Sequence, residues 1–172
     1  MTRSSRRASR IRADTSQGKL QSAAALARMI HRAKANGRRV VFTNGCFDLL
    51  HPGHVTLLER ARQYGDLLIV GLNSDRSVKR LKGRGRPIMR QRDRARLLAA
   101  LESVDYVTIF DEATPQQLIE RLRPEILVKG ADWDVSQIIG RELIERTGGR
   151  VVRIPLLKGY STSALIRRMR GR

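Results

Sequence analysis

The chain has 172 residues, 41% of them hydrophobic, which is enough for one compact domain with a real core and leaves little room for a second. Lys and Arg number 35 against 16 Asp and Glu, and the net charge of +19 points to polyanionic partners: a triphosphate or a nucleic acid. One cysteine, Cys46, and three histidines exclude an internal disulfide and a Cys- or His-clustered metal site, and no apolar run reaches membrane-spanning length.

Residues 1–18 are basic, lack the apolar middle of a secretory signal and show no apolar periodicity. They read as a flexible basic tail ahead of a domain at 19–172, with the cytoplasm as the default location. Leu26, Met29, Ile30 and Ala33 have helical spacing, and Asn36-Gly37 supplies a stop. Arg39–Phe42 reads as a buried strand, followed by a polar loop from Thr43 to Gly53. Val55, Leu57, Leu58 and Ala61 fit a helix ending near Tyr64-Gly65, and Leu67–Leu72 is a second strand. Asn73 to Met89 begins as a short helix and becomes a basic, glycine-rich loop, LKGRGRP. A helix through Arg94, Leu97, Leu98 and Leu101 leads to a third strand, Tyr106–Phe110. Thr114 and Pro115 suit an N-cap and first helical position for a helix to Leu122. A fourth strand at Ile126–Val128, a helix over Ile138–Arg146, a fifth strand at Val151–Ile154 and a last helix with Leu165, Ile166 and Met169 complete the pattern.

Apolar strands alternating with amphipathic helices predict an α/β fold, a Rossmann-like doubly wound five-stranded parallel sheet covered on both faces. Such sheets bind ligands beyond the carboxyl ends of their strands, and the chemically suggestive stretches fall there.

The first stretch is TNGCFDLLHPGH, residues 43–54. His51 can cap a helix that has Pro52 first, Gly53 second and His54 third. N-cap and third-position side chains face one another, so two imidazoles converge where free N–H groups and the positive dipole end attract anions. Gly45 and Gly53 let a nucleotide approach the backbone. This is equipment for a triphosphate attacked at its α-phosphorus, where preplaced donors meet the growing charge. Neither histidine need act as a base, because a phosphate monoester is already a nucleophile. Asp48 is read equally well as a turn residue.

These residues resemble the signature of the cytidylyltransferase-like nucleotidyltransferases, whose fold carries a His-x-Gly-His motif. The resemblance implies that His51 and His54 contact the triphosphate and act in catalysis, with Thr43, Asn44, Gly45, Phe47 and Gly53 shaping the nucleotide pocket. It also implies a catalytic Lys82 for the acceptor phosphate, with Lys79 in reserve and Asn73, Asp75 and Arg94 beside the acceptor. Arg94 sits among Arg90, Arg92 and Arg96, so plain surface charge explains it equally well. Past the fourth strand, Lys129, Gly130 and Asp132 suit the nucleotide site, while Trp133 reads as core packing. Ser161, Thr162 and Ser163 resemble the family's C-terminal hydroxyl motif, which binds the nucleotide. The basic residue expected three positions beyond comes one later, at Arg167.

In VVFTNGCFDLLHPGH, VGLNSD, LKG-x-x-RP, LVKGADW and YSTS the chain is most similar to D-glycero-β-D-manno-heptose 1-phosphate adenylyltransferases. That likeness implies ATP and a sugar 1-phosphate as substrates, ADP-heptose for lipopolysaccharide core biosynthesis as product, and Mg2+ carried mainly on the ATP phosphates, with Asp132 placed to bind ribose hydroxyls or help orient the ion and no dedicated protein ligand required. It also implies a separate sugar kinase as the source of the substrate, a homodimer, and no membrane or nucleic-acid partner. Base preference is not legible from spacing, so a glycerol-3-phosphate or phosphoethanolamine cytidylyltransferase stays open. So does a basic nucleic-acid-binding module built on the same fold.

Overall fold

The computed structural model describes residues 18–169 and 171. The tail expected at 1–18 therefore lies outside the described residues apart from Gly18. Helices and strands alternate as α1 (Ala23–Ala35), β1 (Val40–Gly45), α2 (Pro52–Arg62), β2 (Leu67–Asn73), α3 (Asp75–Lys82), α4 (Gln91–Ala100), β3 (Tyr106–Phe110), α5 (Gln116–Leu122), β4 (Ile126–Gly130), α6 (Arg141–Arg146), β5 (Arg150–Ile154) and α7 (Thr162–Met169). All neighbouring strands pair in parallel, in the order β3-β2-β1-β4-β5. Among the described residues no helix is long and apolar enough to cross a membrane.

The strands are apolar at successive positions because both faces of the sheet are covered. In β1, Val41 packs toward Leu58 and Ala61 of α2 and Ala95 and Leu98 of α4. Its neighbours Val40 and Phe42 point the other way, onto Leu26 and Ile30 of α1, Ile119 of α5 and Ile144 of α6. Period-two alternation thus feeds two cores from one strand, which is the doubly wound arrangement expected from the sequence. The chain ahead of α1 lies along the sheet edge. Leu20 bridges to Val107 of β3, and the Lys19 ammonium donates to the carbonyls of Leu101 (3.0 Å) and Val104 (2.7 Å).

The strand order reverses between β1 and β4, and that reversal opens the crevice. β1 follows β2 in register as far as Gly45↔Leu72, but it pairs with β4 only at Val41↔Ile126 and Phe42↔Leu127. Beyond Phe42 the two strands diverge at their carboxyl ends, the position where such sheets take their ligands.

Four expectations are corrected. β1 continues through Thr43, Asn44 and Gly45, because these polar residues keep their ladder bonds to β2. Thr114 is not the cap of α5: the first helical carbonyl is that of Pro115, which accepts from the Ile119 N–H (2.9 Å), so Thr114 lies one residue outside. The helix expected over Ile138–Arg146 is broken. Val135–Gln137 forms a 3₁₀ turn capped by Asp134, and Gly140 takes φ +88° before α6 begins. A Cβ at Gly140 would stand 2.6 Å from Ile119 Cδ1, so close packing of this loop on α5 requires glycine there. Trp133, expected in the core, is 48% exposed at the mouth of the crevice.

Candidate active site

The N-terminus of α2 is built as the sequence suggests. His51 is the N-cap in extended conformation, and its Nδ1 accepts from the His54 backbone N–H at 3.3 Å. The two imidazoles stack with centroids 3.7 Å apart and planes 19° from parallel. Since Nδ1 of His51 accepts, the neutral ring carries its proton on Nε2 and presents a donor there. Nδ1 of His54 is buried without a hydrogen-bond partner. Gly53 makes the stack attainable: a Cβ on it would lie 3.0 Å from His51 Nδ1 and 3.3 Å from Tyr160 Cβ.

Behind the pair stands Phe47, buried, with its ring centroid 5.0 Å from that of His54 and its backbone at φ +43°. A non-glycine residue in this conformation is costly, and it persists where the surroundings over-determine it. Gly45 makes room, since a Cβ there would come within 3.1 Å of Phe47 Cε2. Thr43 is buried inside β1 and forms wall rather than surface.

Burial pushes both imidazoles below their ordinary range. His54 falls to about 4, through desolvation first and the neighbouring His51 second, and His51 shifts in the same direction through desolvation. At neutral pH the pair is therefore uncharged and offers N–H groups without mutual repulsion. The stability consequence follows from linkage. The folded His54 titrates near 4 and the unfolded one near 6.5, so the unfolded chain binds more protons between those values. Stability is expected to be flat in this group above pH 6.5 and to fall as the pH drops from 6.5 toward 4. Thermal melts across that range check it, with His54→Ala expected to lose part of the slope.

Across the crevice, Lys129 at the end of β4 is buried and donates from Nζ to Asn44 Oδ1 at the end of β1 (2.5 Å). It spans the gap where the strands stop pairing. Burial lowers its pKa to about 8, with Asp132 holding it up in part. Gly130 keeps the floor open, for a Cβ there would meet Leu156 Cδ2 at 2.8 Å and also the Asp132 carboxylate. The exposed Trp133 ring lies 5.7 Å from the Lys129 ammonium.

The last side is the entry to α7. Ser161 caps it, its Oγ accepting from the Ala164 N–H (3.1 Å), which leaves Thr162 and Ser163 in the first turn. Tyr160, which sequence reasoning passed over, lays its ring 6.4 Å from that of His51 and brings this segment over the histidines. No residue of α7 is fully buried, and Arg167 is exposed on it.

On the acceptor side the structure rearranges the expectations. Lys82 ends α3 and Lys79 lies on the same helix, both exposed. Lys82, Arg94 and Arg86 are near enough to Cys46 to oppose the upward push of burial on its thiol. Arg94, in contrast, is 0% exposed and has no free face for a substrate. Its Nη1 donates to the carbonyls of Cys46 (2.5 Å) and Asn73 (2.9 Å), its Nε to that of Met89 (3.0 Å), and its Nη2 to the Asp75 carboxylate (2.7 Å). The Asn73 amide is likewise turned inward, onto Ser77 Oγ (3.0 Å). Asn73, Asp75 and Arg94 hold the frame, whereas the Lys82 and Lys79 side chains stay exposed to solvent. Asp48, which sequence reasoning left as an even choice with a turn residue, is a buried anchor for residues 86–89. Among the described residues no group of three or more His, Cys, Asp or Glu side chains converges on a metal-sized site.

The cytidylyltransferase-like family matches residues 42–168. The bifunctional protein HldE of Geobacter sulfurreducens is 53% identical over 151 residues, which is 88% of this chain and 31% of that protein. HldE of Nitrobacter hamburgensis is 57% identical over 139 residues, 81% of this chain and 28% of that protein. The chain thus spans about a third of the length of these relatives. Among solved structures, a lipopolysaccharide core biosynthesis protein from Thermoplasma volcanium superposes with a TM-score of 0.61 at 28% identity, covering 71% of this chain and 100% of that one.

Proposed function

This chain belongs to the cytidylyltransferase-like family of nucleotidyltransferases, and from that premise we propose that it transfers AMP from ATP to D-glycero-β-D-manno-heptose 1-phosphate, giving ADP-heptose and pyrophosphate. The observation that carries the reading is the stacked His51–His54 pair at the N-terminus of α2, beside the open crevice between β1 and β4. The heptose acceptor rests on the motif likeness in residues 40–54, 127–133 and 160–163, and the match to a lipopolysaccharide core biosynthesis protein supports it.

In the proposed reaction an oxygen of the acceptor phosphate attacks the α-phosphorus of ATP. One P–O bond forms there as the bond to the β-phosphate oxygen breaks, and pyrophosphate leaves. His51 Nε2–H and the His54 ring donate to the oxygens on which negative charge grows, aided by the helix N-terminus. Their neutrality in the free protein suits this task, since hydrogen bonds to an oxyanion need a proton but no base. Lys129 is held ready by Asn44, and a phosphate oxygen entering the crevice would compete for its ammonium. Gly130, Thr162 and Ser163 line the nucleotide's approach, and Trp133 offers a ring for the base. Magnesium fits this residue set as an ion carried on the triphosphate, with Asp132 the carboxylate available to orient it, and when bound it neutralises phosphate charge. A sugar kinase activity would supply the acceptor, and a homodimer is the proposed assembly.

Lys82 is assigned to the acceptor phosphate. Lys82→Ala is expected to raise the KM for the sugar phosphate by about tenfold and to leave that for ATP nearly unchanged. Equal rises in both, measured by initial rates, would remove Lys82 from this role.

A further inference from the structure

We propose that Asp48 is a positioning residue that fixes the basic segment 84–89 against the histidine loop and thereby sets the acceptor-phosphate end of the site. This inference rests on the functional reading above and adds a residue to it.

Asp48 is 1% exposed, and every contact made by its carboxylate is long-range. Oδ2 accepts from Arg86 Nε (2.5 Å), and Oδ1 accepts from the backbone N–H groups of Ile88 (2.7 Å) and Met89 (3.0 Å). A turn aspartate bonds the backbone about two residues on, whereas these partners are 38 to 41 residues away. A buried carboxylate is tolerable only with such a set of donors. The circuit closes through Arg94. It takes the Met89 carbonyl with Nε and the Cys46 carbonyl with Nη1, so residues 86–89 are tied to residues 46–48 from two directions.

Upstream of the anchor the chain is open to solvent. Gly83 (φ +84°) and Gly85 (φ +82°) adopt left-handed conformations, and a Cβ at either would meet nothing within 4 Å. Lys82 and Arg84 are exposed cations on the short segment between the end of α3 and the Asp48 anchor. Where those cations stand relative to His51 and His54 depends on the anchor, because Asp48 lies three residues before His51 on the same loop. A misplacement on the order of 1 Å in such groups can cost roughly a hundredfold in rate.

The test joins amide hydrogen exchange to steady-state kinetics in Asp48→Ala and Arg86→Gln. In Asp48→Ala, exchange at Ile88 and Met89 is expected to speed by roughly tenfold or more, while the amides of β1 and β2 keep their rates. The acceptor KM is expected to rise about tenfold with the ATP KM within about twofold. Arg86→Gln leaves the buried carboxylate in place, so it covers the case in which Asp48→Ala does not fold. It is expected to give the same KM split at smaller amplitude, and the double variant to fall short of the product of the singles. Unchanged exchange at 88–89, or a loss spread equally over both substrates, would overturn the proposal. Wild-type protein that turns over no sugar phosphate would instead sink the functional reading, and the exchange result would still decide whether Asp48 holds the segment.

Discussion

Replacing His54 by alanine is expected to lower turnover by about 10²–10³-fold, the usual loss when one preplaced donor to a growing oxyanion is removed. The fold should survive. His54 occupies the third position of α2, where alanine is a good helix former, and His51 keeps its capping contact to the backbone N–H of residue 54. The side chain removed also carries a buried, unpartnered Nδ1, so its loss relieves one unfavourable burial while leaving a small gap beside Phe47. Thermal unfolding near that of the wild type, together with collapsed pyrophosphate release, is the expected pair of results. A folded His54→Ala protein with a near-normal rate would remove the histidine pair from the chemistry.

The second large effect is on stability. Arg94→Met keeps the aliphatic stem of a wholly buried side chain and removes its guanidinium. The carbonyls of Cys46, Asn73 and Met89 would then lose their charged donor at once. The Asp75 contact adds less, because that carboxylate is 40% exposed and water can replace part of the pairing. Breaking a buried charged network by removing one partner costs about 3–5 kcal/mol, and the lower end suits this case. That corresponds to a fall in Tm of roughly 6–12 °C for a chain of this size. Denaturant melts measure it directly. A loss below about 1 kcal/mol would show that Arg94 is not the strut joining the histidine loop, β2 and the helices that follow.

These two residues also mark what was legible in the sequence and what was not. His51-Pro52-Gly53-His54 is a local pattern. Capping geometry alone brings the imidazoles together, and the structure stacks them. The strands were legible for a similar reason: unbroken apolar runs fit a sheet covered on both faces, and five such runs give the observed order of elements. Arg94 was picked out by family resemblance as an acceptor residue, but its role as a buried strut was not legible, because its partners Cys46 and Asn73 lie 48 and 21 residues away and the arginines around it share its composition. Asp48 was hidden in the same way. Trp133 misled because a large ring usually finds a core, whereas here the strand ends beside it diverge into an open crevice. Ile138 does carry a core contact, but it does so from a loop. Gly140, with its left-handed backbone, ends the apparent helical period. Nothing in a period count distinguishes a buried loop residue from a helical one.

The central claim is tested most directly by pyrophosphate release from the purified protein with magnesium, offering ATP or CTP with D-glycero-β-D-manno-heptose 1-phosphate, glycerol 3-phosphate or phosphoethanolamine. Release with ATP and the heptose phosphate, and with no other pairing, is the predicted result. Release with CTP and an alcohol phosphate, without any with ATP and the heptose, would contradict the proposed substrate while leaving the histidine mechanism in place.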